Sequence, residues 1–163
     1  MGMAWITTGI AWIGRLTAWA SLIMVLGMCA VVVLRYGFAL SFVALQEVIL
    51  YLHAVLFMLG AAYTWQQNGH VRIDILHHYL TARQQAGIEL GGIILLLWPL
   101  CAYMVYSSWG YVADSWALWE GSSEPGGMPG VFLLKTLLLL LPLLLALQGW
   151  VQAQMAWRKI IIN

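Results

Sequence analysis

Residues 35–76 read RYGFALSFVALQEVILYLHAVLFMLGAAYTWQQNGHVRIDIL. The stretch leaves one hydrophobic segment, turns back through a second, and emerges into a polar run with charges of both signs. The second segment, near 43–65, meets the roughly 20 residues a helix needs to cross a bilayer. A carboxylate, Glu47, and an imidazole, His53, stand inside its apolar part. Ionisable groups in such a setting are costly and call for a partner or a function.

The rest of the chain has the same character. Hydrophobic residues make up 63% of the 163, charged residues 8%, and mean hydropathy is +0.88. A soluble domain carries roughly a quarter charged residues. The composition therefore excludes a soluble protein and predicts a multi-pass membrane protein. Apolar runs near 16–36, 43–65, 86–110 and 131–155 each suffice for one span. Lipid offers no hydrogen-bond partners, so open strands are excluded and the fold class is all-α. Nothing is left over for a second, soluble domain, and residues 1–163 form a single integral membrane domain. A net charge of +1 gives nucleic-acid binding no electrostatic support.

Arg15 precedes an apolar run from 16 to 34, longer than the roughly 7–15 residues of a signal-peptide core, so a retained helix is expected. Trp5, Trp12 and Trp19 recur every seven residues near one helix face, which suits an interfacial anchor or a long tilted start to the first span. Cys29 and Cys101 fall inside apolar runs without metal-type spacing and read as small buried hydrophobes. Pro99 and Pro142 are expected to bend the third and fourth spans. Gln148 and Gln152 share a face near the end of the fourth.

Basic residues set the expected orientation. Arg15 precedes the first span, Arg72 and Arg83 lie between the second and third, and Arg158 and Lys159 follow the fourth. Both termini are expected in the cytoplasm. The segment 111–130 carries Asp114, Glu120 and Glu124 but no Lys or Arg, and is expected outside, as an interfacial loop or a docking surface. Its Pro and Gly residues forbid regular helix towards its end. Lys135 lies about one turn inside the fourth span, where it can snorkel or meet a loop acid.

At 100° per residue, Gln46, His53, Gly60 and Gln67 fall in one stripe of the second span, with Glu47, Ala54 and Ala61 one position behind. Small residues let helices approach closely and polar ones bond across them, so this face packs on protein: the chain's own bundle or a second subunit. Arg35, at the end of the first span, is the expected ion-pair partner of Glu47; a proton-carrying Glu47 is the alternative. His53 is expected to be a hydrogen-bonded helix contact. A helical register would align His70, Asp74 and His78 for zinc, with His77 nearby, but Gly69, Val71 and Ile73 weaken that register.

The order of these features resembles a known family. Arg35-Tyr36 closes the first span, Gln46-Glu47 opens the second, and a midsection Phe57-Met58-Leu59-Gly60-Ala61-Ala62 leads into Gly69-His70-Val71-Arg72-Ile73-Asp74-Ile75-Leu76. The chain resembles the small membrane subunit of tripartite ATP-independent periplasmic (TRAP) transporters over nearly its whole length. The resemblance implies a scaffold subunit, without catalytic residues, metal or cofactor of its own. It implies two protein partners, a large membrane subunit holding sodium and substrate, and a periplasmic substrate-binding protein that delivers an organic acid or related solute. Membrane lipids complete the surroundings. It also implies the cytoplasmic (inner) membrane of a bacterium or archaeon. Arg35, Glu47, His53, Gly60, His70, Arg72, Asp74 and Lys135 are then interface or structural residues. Two rivals remain: a stand-alone proton-coupled exporter using Glu47, and a haem-bearing anchor, which needs histidines on two helices at matching depth.

Overall fold

A computed structural model describes residues 4–69 and 80–162. Four helices carry the chain: α1 (Ala4–Phe38), α2 (Val43–Gln66), α3 (Ala82–Ala117) and α4 (Val131–Ile162), each long and apolar enough to span a membrane. No strand occurs among the described residues.

Three helices outrun their apolar cores. The 35 residues of α1 are about 52 Å long at 1.5 Å per residue, against roughly 30 Å of hydrocarbon. The Trp-bearing N-terminal segment is thus a helical continuation of the first span. Helix α3 starts at residue 82 and not near 86, because Thr81 and Gln84 form a capping box: Gln84 N–H donates to Thr81 Oγ1, and Thr81 N–H to Gln84 Oε1 at 3.0 Å. It runs on to Ala117, which shortens the following loop to 118–130. Within α3 the turn Ile93–Leu97 is π-helical, with Trp98 N–H donating to Ile93 O. This widened turn lies directly before Pro99, whose ring would crowd the carbonyl four residues back in an unbroken α-helix.

Helix α2 ends in a Schellman motif on Asn68 (φ 56°), with Gly69 N–H donating to Thr64 O at 2.8 Å. Helix α3 ends in another on Trp119 (φ 47°), with Glu120 N–H donating to Ser115 O at 3.0 Å. A bulky residue in the left-handed region is strained by about 1–2 kcal/mol, so neighbouring packing must hold Trp119 there.

Helix α4 is the hub, packing on α3, α2 and α1, while α1 packs chiefly on α2. The apolar window of α4 is 22% buried inside the chain, that of α1 or α2 only 6%. Most of the apolar surface is therefore left to lipid or a partner. Close approach uses glycine. A Cβ on Gly14 would overlap the Tyr63 ring, and one on Gly149 would lie 2.7 Å from Leu97 Cδ2. The exposed line Trp5, Trp12, Trp19 faces away from α2 and continues through Leu26 and Val33. Cys101 is buried, but Cys29 is exposed on the outer face of α1, contrary to the expectation that both are buried.

Candidate functional site

The polar groups converge at the end of the bundle that carries the 118–130 loop. Glu47 sits in the second turn of α2, and its carboxylate accepts from the Ser122 hydroxyl and, at 2.6 Å, from Met128 N–H. Ser122 N–H donates to Met128 O at 3.0 Å, so these two residues are the neck of a hairpin-like loop. Gly127 permits the approach: a Cβ there would stand 2.9 Å from Glu47 Oε2 and collide with the Ser122 side chain. One helical turn further along α2, Tyr51 packs against Gly130, with its Cε2 3.6 Å from a Cβ placed there.

A second tie lies beside the first. Lys135 Nζ donates to Glu120, and its ammonium lies 3.8 Å from the Tyr111 ring centroid. The Lys135 ammonium holds the Glu120 carboxyl below the usual carboxylate range. Trp116 Nε1–H donates to Thr136 Oγ1 at 2.9 Å, and Trp116 and Trp119 pack edge-on against Phe132 at 4.7 and 5.2 Å. This ring cluster holds Trp119 in its strained backbone conformation.

The expected Arg35–Glu47 pair does not form. Lys135–Glu120 is the one ion pair among the described residues, and Glu47 is engaged by two donors 75 and 81 residues away. The turn between α1 and α2 does not bring the guanidinium onto the carboxylate. Instead α4 brings the loop over the end of α2. Spacing held no sign of this; the nearest signal was the run Pro125-Gly126-Gly127-Met128-Pro129-Gly130, which marks backbone able to approach a side chain closely.

The α2 stripe faces out of the bundle. Gln46, His53 and Gln67 are exposed, and Gly60 has nothing within 4 Å of where a Cβ would stand. Ile49 and Ala62 are buried towards the bundle. Packing within the chain's own bundle, one of the two expectations, is thereby overturned for Gln46, His53 and Gln67, whereas Glu47, one position behind, is held by the chain's own loop. His53 makes a ring contact with Phe57 on the same face at 5.5 Å instead of a bond to another helix. An apolar groove of 460 Å³ beside His53 is floored by Met24, Met28 and Ile49. On the far side of the bundle a larger open groove, 1270 Å³, lies between α3 and α4 and is lined by Trp98, Trp109 and Trp150 among others.

His70, Arg72 and Asp74, with the zinc alternative built on His70, Asp74 and His78, lie outside the described residues. Among the described residues no three His, Cys, Asp or Glu side chains gather as metal ligands would.

Fold and site together define a multi-pass helical membrane protein whose polar side chains tie one loop to the bundle and line one outward helix face. Residues 24–160 match the family described as "Tripartite ATP-independent periplasmic transporters, DctQ component". The match spans most of the chain, and the protein belongs to this family: it is the small membrane subunit of a TRAP transporter. This is a family of transporter components and not a class of enzymes. The same comparisons found no matching curated protein and no matching solved structure.

Proposed function

We propose that the chain is the scaffold subunit of a sodium-driven, binding-protein-dependent TRAP transporter that imports an organic acid or related solute. The direction of the α2 stripe carries this reading. Gln46, His53 and Gln67 on a membrane-spanning helix are exposed, and lipid would leave the His53 imidazole without a hydrogen-bond partner and Gln46 with only its bond to Ser41 Oγ at 3.4 Å. A second membrane protein satisfies them, and the open backbone at Gly60 allows its helix to come close. The partner is the large transport subunit, which holds sodium and substrate. This subunit carries no cofactor.

The basic residues Arg15, Arg72, Arg83, Arg158 and Lys159 support cytoplasmic termini in an inner membrane, with the 118–130 loop on the periplasmic side. The exporter reading is disfavoured by the engagement of Glu47 with two loop donors, which ties the carboxylate to structure.

The test is uptake in proteoliposomes holding the large subunit and the binding protein. Omitting this subunit is expected to abolish sodium-driven uptake. Undiminished uptake without it, or transport by this chain alone, would overturn the reading.

A further inference from the structure

We propose that residues 121–130 form a preorganised docking finger whose neck is clamped by Glu47 and whose tip receives the soluble binding protein; the docking role rests on the transporter reading above. The tip, Glu124-Pro125-Gly126-Gly127, is a type II turn. Gly127 N–H donates to Glu124 O at 3.0 Å, and Gly126 has φ +78°, the value that position requires. Ser122 Oγ accepts from Glu124 N–H at 3.1 Å and so links neck to tip.

Four glycines, at 121, 126, 127 and 130, would leave a free loop of this length with high backbone entropy. It is held instead from outside itself. The Glu47 carboxylate draws together Ser122 and Met128, the two sides of the neck. The clamp comes from α2, whereas the loop joins α3 to α4, so the finger's shape depends on how the bundle is packed.

The tip's chemistry names the partner's class. Ser123, Glu124, Pro125 and Gly126 are all exposed, and none is a large apolar side chain. Such a surface suits a water-soluble protein and not acyl chains. The Glu124 carboxylate forms no ion pair among the described residues and offers itself to a basic or amide-bearing patch. Holding the turn in advance removes the ordering cost that binding would otherwise meet.

Two measurements on the assembled complex test this. Hydrogen exchange of the 118–130 segment reads the clamp; initial uptake against binding-protein concentration reads docking. Glu47→Ala and Gly127→Ala are expected to speed exchange at Met128 and to raise the half-maximal binding-protein concentration at least five-fold, with maximal uptake kept within two-fold. Ser122→Ala, the mildest change, should show a smaller shift of both. Glu124→Lys should weaken docking with exchange unchanged.

Exchange in Glu47→Ala and Ser122→Ala equal to wild type would overturn the clamp. A loosened finger with an unmoved docking curve would overturn its role. A wild-type complex indifferent to the binding protein would overturn the transporter reading and the docking role together, while exchange still decides the clamp.

Discussion

Two glycines, Gly14 of α1 and Gly60 of α2, separate packing within this subunit from packing against a partner. Gly14 of α1 faces α2, and a methyl there would overlap the Tyr63 ring. Forcing a group into a filled contact costs about 1–3 kcal/mol. Alanine recovers up to about 1 kcal/mol of helix propensity over glycine. Gly14→Ala should therefore be neutral to destabilising by about 2 kcal/mol in the isolated subunit, through separation of α1 from α2. At Gly60 the space is open, so Gly60→Ala should be neutral or stabilise by up to about 1 kcal/mol from propensity alone. Gly60→Leu should likewise leave the isolated subunit folded while it blocks close approach by a partner helix. The assay is thermal unfolding of the detergent-purified subunit by tryptophan fluorescence, paired with the yield of large subunit recovered on a tagged small subunit. Gly14→Ala should leave the melting temperature unchanged or lower it, whereas Gly60→Leu should leave it in place and cut recovery several-fold. Full recovery with Gly60→Leu would refute the partner-facing assignment of α2. A melting temperature raised by Gly14→Ala would refute the close α1–α2 contact.

Other expectations follow from single contacts. Gly149→Ala should be neutral to destabilising by about 2 kcal/mol, because Leu97 Cδ2 stands 2.7 Å from the new methyl beside the π-helical turn while alanine regains helix propensity; thermal unfolding reads it, and a clear gain in stability would refute the close contact. Gln148 is almost fully buried and its Oε1 accepts no hydrogen bond from the described residues. Gln148→Met, of similar shape, should raise stability by about 1 kcal/mol, and a loss would show that the amide has a partner. Trp116→Phe removes the bond to Thr136 and should cost about 0.5–1.5 kcal/mol while keeping the ring contact with Phe132. The Glu120 carboxyl is lowered by Lys135. Its stabilising contribution is thus complete above the ordinary carboxylate value of about 4.3 and is lost as pH falls through the lowered one. Melting temperature should hold from pH 8 to 5 and fall below about pH 4, with a shallower fall in Glu120→Gln.

Hydropathy, periodicity and turn chemistry are local properties, and the features that depend on them were legible along the chain. Four apolar runs of helix-spanning length became four helices because a helix satisfies its backbone hydrogen bonds within one segment, where lipid offers no partners. The Pro-Gly pair at 125–126 marked its turn because proline presets one backbone angle and glycine alone takes the next without strain. The 7-residue stripe on α2 was legible as a stripe, since side-chain direction repeats with the helix. Its heading was not, because a period says nothing about how a helix is rotated within a bundle. Cys29 shows the same limit: an apolar neighbourhood in sequence does not tell an inner face from an outer one. Glu47 shows it most clearly. Sequence made it a buried carboxylate in need of a partner and offered Arg35 across a short turn. Only tertiary packing, with α4 carrying the loop over the end of α2, supplied Ser122 and Met128. The demand for a partner is a property of the residue and its medium; the partner's identity depends on contacts between segments far apart in the chain.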